Sequence, residues 1–125
     1  MQKKLNTIQK RNNLNAVYPY DAHSAGGAHY AYDIYPADCD PEKTEMPLAC
    51  IEFQKGPRGN PKARDGILET DLLEIVRDRF KAFQNSSMAT RETEMALQHI
   101  EEALLWLNKR TEDRAERGVL GTMLK

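Results

Sequence analysis

The stretch TRETEMALQHIEEALLWLNKRTEDRAERG, residues 90–118, decides the fold. Ala96, Leu97, Ile100, Ala103, Leu104 and Leu107 recur at helical spacing and make one sustained apolar stripe. Ser87 or Thr90 is the expected N-cap, and Glu92 and Glu94 suit the positive end of a helix dipole. Gly118 is placed as the residue just past the helix, where a left-handed backbone ends the spiral. Upstream, Leu72, Leu73, Val76, Phe80 and Phe83 draw a second stripe, with Thr70 as its N-cap and Asn85-Ser86-Ser87 as its end. Two amphipathic helices joined by a short loop predict an antiparallel hairpin over residues 70–118.

The first half of the chain has a different character. It holds most of the Pro, Gly and Tyr, and residues 1–60 read as strand and loop. Leu5 to Leu14 is read as a short helix. Asn13 to Asp21 is extended, because Pro19 pushes the residue before it towards β. His29 to Tyr35 and Leu48 to Gln54 are strands, expected to pair antiparallel across the proline-rich loop between them. The fold class is therefore α+β: a small antiparallel sheet packed with a helical hairpin, in a single domain over residues 1–125.

The bulk numbers exclude several classes. With 125 residues, 40% hydrophobic and 30% charged, the chain is an ordinary small globular one, and its modest core makes oligomer formation expected. A formal net charge of −1 gives no reason to expect DNA as a partner. The N-terminus leads into no apolar run and nothing is long enough to span a bilayer, which predicts no membrane partner and residence in the cytoplasm. Cys39 and Cys50 are read as free thiols, and His23, His29 and His99 form no metal pattern. No cofactor is expected.

What remains is a set of groups that hold anions. Arg110, Arg114 and Arg117 recur at i, i+4 and i+7, along one helical face. They either grip phosphate with their forked donors or pair with Glu112, Asp113 and Glu116 as a solvated face. Phe83 and Arg91 flank the turn between the helices, where a ring stacks on a base and a guanidinium holds a phosphate; the competing reading is a core ring and a surface cation. Gly56-Pro57-Arg58-Gly59-Asn60 has the glycines of a phosphate loop without its spacing, and a plain turn explains it equally. No nucleophile has an evident base, and adjacent Glu101 and Glu102 point in different directions on a helix.

Several runs taken together resemble a known family. They are Ile51-Glu52-Phe53-Gln54-Lys55-Gly56-Pro57, Leu72 to Arg79, Phe83-Gln84, Thr90-Arg91-Glu92, Glu101 to Leu107, Arg110 to Arg114, and the closing Arg117-Gly118-Val119-Leu120-Gly121-Thr122. They resemble the phage anti-defence sponges of the first Thoeris anti-defence family, whose C-terminal hairpin is found in many small phage proteins. The resemblance covers residues 48–122. It implies a homo-oligomer, a dimer or a hexamer built as a trimer of dimers, acting in the host cytoplasm. It implies binding and sequestration, without degradation, of glycocyclic ADP-ribose, the cyclic nucleotide signal made by Thoeris TIR proteins. Some members also bind the cyclic oligonucleotides of CBASS immunity at a separate site.

Carried over by position, the resemblance makes Phe83 the plate under adenine and Arg110 and Arg114 the pyrophosphate grip, supplied from a neighbouring protomer. Thr93 stands near the place where the family commonly has Asn, and a hydroxyl reaches less far than an amide. Arg58 and Arg91 would serve the second site. Arg117, beside the helix stop, is as suited to capping carbonyls as to touching a phosphate. Two other functions remain open: a cyclic nucleotide phosphodiesterase, and a structural or interaction hairpin with no ligand.

Overall fold

The structure, a computed structural model, describes residues 2–43 and 46–120; part of the proline-rich loop and Gly121-Thr122 of the closing run lie outside them. The chain forms two compact units: residues 1–55 with 64–66, and residues 56–63 with 67–125.

The first unit is built on a three-stranded antiparallel sheet in the order β1 (Asn15–Pro19), β2 (Ala31–Pro36), β3 (Ala49–Glu52). The two expected strands pair as foreseen, with Tyr32 opposite Ile51 and Asp33 opposite Cys50. The extended segment around Pro19 supplies the third, with Tyr18 opposite Asp33 and Val17 opposite Ile34. Alternation along β2 buries Ala31, Asp33 and Tyr35 on one face. Tyr18 packs edge-on against Tyr35, ring centres 5.9 Å apart.

Asp21 links β1 to β2. Its carboxylate accepts from Tyr30 N at 3.0 Å and Ala31 N at 3.1 Å, and His29 Nδ1 meets its carbonyl. Burial alone would raise the Asp21 pKa; the backbone donors of Tyr30, Ala31 and Asp21 itself, with His29 nearby, outweigh it and hold the carboxyl below its ordinary range.

The helix expected over Leu5 to Leu14 is absent. Short polar side chains capture the carbonyls a helix would need: Thr7 Oγ1 donates to Gln9 O, Gln9 Nε2 to Arg11 O, and Asn13 Nδ2 to Gln9 O. Asn12 adopts φ +55, outside any right-handed helix. The arm runs instead beside β1, where Gln2 N donates to Pro19 O and Leu5 N to Val17 O.

The second unit is the hairpin. Helix α1 spans Glu69–Gln84 and α2 spans Arg91–Glu116. α1 begins earlier than its sequence predicts, with Leu68 rather than Thr70 in the capping position. Asp71, three residues on, reaches back so that its carboxylate accepts from Leu68 N at 2.8 Å, and this replaces a hydroxyl cap. α2 starts as expected: Thr90 Oγ1 accepts from Thr93 N at 3.0 Å. It also stops as expected. Gly118 takes φ +73, its N–H returns to Ala115 O and Val119 N returns to Arg114 O, the paired bonds of a Schellman ending.

The Gln84 amide clasps the turn between the helices, donating to Thr90 O at 3.1 Å and accepting from Thr90 N at 3.2 Å. The stripe residues Leu72, Val76, Phe80, Leu97, Ile100 and Leu104 face the helix pair and are all half-buried, none fully. Outside the stripe, Leu105 and Trp106 stand 71% and 62% exposed.

Candidate functional site

All six candidate residues, Phe83, Thr93, Arg110, Arg114, Arg58 and Arg91, belong to the hairpin unit. Helix geometry then sorts them. Phe83 is in the last turn of α1 and Thr93 and Arg91 in the first turn of α2, so these three mark the tip of the hairpin. Arg110 and Arg114 lie near the far end of α2. Thr93 and Arg110 are 17 residues apart on one continuous helix, about 25 Å at 1.5 Å per residue. One protomer therefore does not bring the aromatic plate and the arginine pair together.

At the tip, the Arg79 guanidinium lies 5.3 Å from the centre of the Phe83 ring, and the Phe80 ring stands 6.4 Å away at a 37° tilt. A half-buried ring with a cation over it is chemistry that takes a nucleobase. Arg79 has no place in the sequence-based site, although its i, i+4 relation to Phe83 was the signal for it. The Thr90 hydroxyl donates to Thr93 Oγ1 at 3.0 Å. Thr93 thus serves as part of the N-cap and keeps its own hydroxyl proton to donate. Arg91 is exposed at the start of α2. Arg58 is exposed in a turn that needs positive φ at Gly56 and Gly59, +84 and +87.

At the far end the three arginines have three different surroundings. Arg110 is exposed and makes no ion pair among the described residues. Arg114 is half-buried, and its Nη2 donates to Val119 O at 3.4 Å, over the Schellman ending. Arg117 Nε pairs with Asp113 Oδ2 at 3.0 Å, one turn back. Arg114 thus makes a side-chain contact to a carbonyl of the helix ending. The solvated-face reading holds for Arg117, and Arg110 remains fully available to a ligand.

Elsewhere in the hairpin lies a groove of about 770 Å³ between the first half of α1 and the C-terminal half of α2. Leu104, Leu105 and Leu107 form its apolar side, with Asp71, Glu74 and Arg77 on the other. None of the six candidates lines it. Within it Arg77 Nε meets Glu101 Oε2 at 2.8 Å, and Glu74 stands 3.4 Å away. The Glu101 bond, more than the neighbouring charge of Glu74, holds the Arg77 pKa above its ordinary value. This ion pair ties α1 to α2; the site's carboxylates are spent on structure. Among the described residues, no three His, Cys, Asp or Glu side chains come together as a metal-ligand group, and no helix is long and apolar enough to cross a membrane.

The chain thus carries an aromatic side chain at one end of a helical hairpin and two arginines near the other. Residues 50–112 match the Acb2/Tad1 hairpin domain, and the chain belongs to that family. It is also 48% identical over 75 residues to a protein of Bacillus phage SBSphiJ7 named Thoeris anti-defense 1. That alignment takes in 60% of this chain and 52% of the relative, so the chain spans about half the relative's length.

Proposed function

We propose that this chain is a phage anti-defence protein that binds and sequesters cyclic nucleotide immune signals, glycocyclic ADP-ribose first among them, and returns them chemically intact. The observation that carries this reading is the 48% identity over 75 residues with a protein named for Thoeris anti-defence. Phe83, with Thr93 beside it, receives the adenine; Arg110 and Arg114 of a second protomer grip the pyrophosphate. The 25 Å gap within one protomer favours this division, because an antiparallel neighbour brings one hairpin's tip to the other's far end. The working unit is accordingly a homo-oligomer, a dimer or a trimer of dimers, in the host cytoplasm. Arg58 and Arg91 serve a separate site for CBASS cyclic oligonucleotides.

The test separates binder from enzyme. The protein is incubated with glycocyclic ADP-ribose, free ligand is measured, and the complex is then heat-denatured. Depletion followed by recovery of intact ligand is the expected result. Hydrolysed ligand would make the protein a phosphodiesterase, and no depletion would leave a hairpin without this ligand; either outcome overturns the proposal.

A further inference from the structure

The sheet-containing unit holds a second cluster of cations. Lys55 and Arg64 form an isolated antiparallel bridge, each N–H reaching the other's carbonyl at 2.9 Å. Residues directly opposed in such a pair carry their side chains to the same face. Both gather on Tyr30. Arg64 Nη2 donates to Tyr30 O at 3.1 Å, and Lys55 Nζ lies 5.4 Å from the centre of the Tyr30 ring. The Tyr30 hydroxyl in turn donates to Ala25 O at 2.7 Å and ties the ring to the turn Ser24-Ala25-Gly26-Gly27.

Arg64 Nε is buried with no partner, and so is Ser24 Oγ in the turn whose Ala25 carbonyl takes the Tyr30 hydroxyl. Neither Lys55 nor Arg64 has a carboxylate within ion-pair distance among the described residues. An unmet guanidinium N–H and an unmet hydroxyl each cost stability unless an acceptor reaches them.

We propose that Lys55 and Arg64, arranged about Tyr30, form an anion site for a phosphoryl group, separate from the hairpin arginines. Arg64 supplies its free Nε–H and Lys55 a point charge, and Tyr30 contacts both, through its carbonyl and its ring. The site lies wholly within the first unit and does not depend on the hairpin's function.

Calorimetric titration of the full chain with inorganic phosphate, at low ionic strength in a phosphate-free buffer, tests it. Saturable binding is expected, weakened about tenfold or more by Lys55→Gln and by Arg64→Gln, the size of one charge-assisted hydrogen bond. Lys55→Gln decides the matter if Arg64→Gln fails to fold, since the Lys55 side chain carries no hydrogen bond that the fold needs. AMP in place of phosphate identifies the source: tighter binding marks a nucleotide, equal binding a free phosphate, and both must be lost in Lys55→Gln. Absence of saturation with wild type overturns the proposal. So does wild-type affinity in the Lys55 variant, or loss of phosphate binding in Arg110→Ala/Arg114→Ala with Lys55 intact, which would put the anion on the hairpin.

Discussion

Arg110 and Arg114 share a helix face but not a physical role. Arg110 is exposed and makes no ion pair among the described residues, so Arg110→Ala is expected to abolish depletion of glycocyclic ADP-ribose while leaving the melting temperature unchanged. Arg114 also donates to Val119 O, so Arg114→Ala is expected to abolish depletion and to cost about 1 kcal/mol in a denaturant titration. The i, i+4, i+7 spacing made the common face legible. It could not reveal which guanidinium turns back to the carbonyls, because that depends on where the Schellman ending puts Val119 O. Asp21 is a residue-scale test in the other unit. Its folded pKa is depressed, so its contribution is complete above the unfolded carboxylate range and falls away as pH drops through the folded value. Melting temperatures of wild type and Asp21→Asn should therefore converge in acid, below about pH 4, and separate towards neutrality.

The helices were readable at the scale of elements because their apolar period is sustained. Ala96, Leu97, Ile100, Ala103, Leu104 and Leu107 are half-buried as the stripe requires. The arm over residues 5–14 misled because its few apolar residues find no surface to bury them: Ile8 is fully exposed and Leu14 84% exposed. Without burial, side-chain bonds to the backbone decide the local conformation. The two ends of α2 can be weighed directly. Thr90→Ala removes the hydroxyl that caps Thr93 N and should cost about 1 kcal/mol. Gly118→Ala places a Cβ at φ +73 and should cost about 1–2 kcal/mol. Chemical denaturation of each variant checks both, and the Gly118 variant should also weaken ligand binding, because Arg114 is seated on that ending.

At the scale of the whole molecule, a hairpin with no fully buried residue and with Leu105 and Trp106 largely exposed has apolar surface left over. The proposed oligomer covers it. Light scattering should then report at least a dimer, and the melting temperature should rise with protein concentration. A monomer with a concentration-independent melting temperature would remove the basis for a shared pocket. The sequence hinted at this through the chain's small size and through the family it resembles, and not through any one residue. The ion pair from Arg77 to Glu101, which fixes the helices to each other, was invisible there because its partners are 24 residues apart.

The 25 Å between the tip and the far end of one hairpin implies a test of inheritance between subunits. If each pocket takes its plate from one chain and its grip from another, a Phe83→Ala chain and an Arg110→Ala chain are each inert alone. Paired, they rebuild one wholly native pocket from the two undamaged halves and leave the other doubly damaged. Unfolding and refolding the two variants as an equal mixture should restore about a quarter of the wild-type binding capacity, at wild-type affinity, if the two-fold unit is a dimer. Two defective proteins would together do what neither does separately.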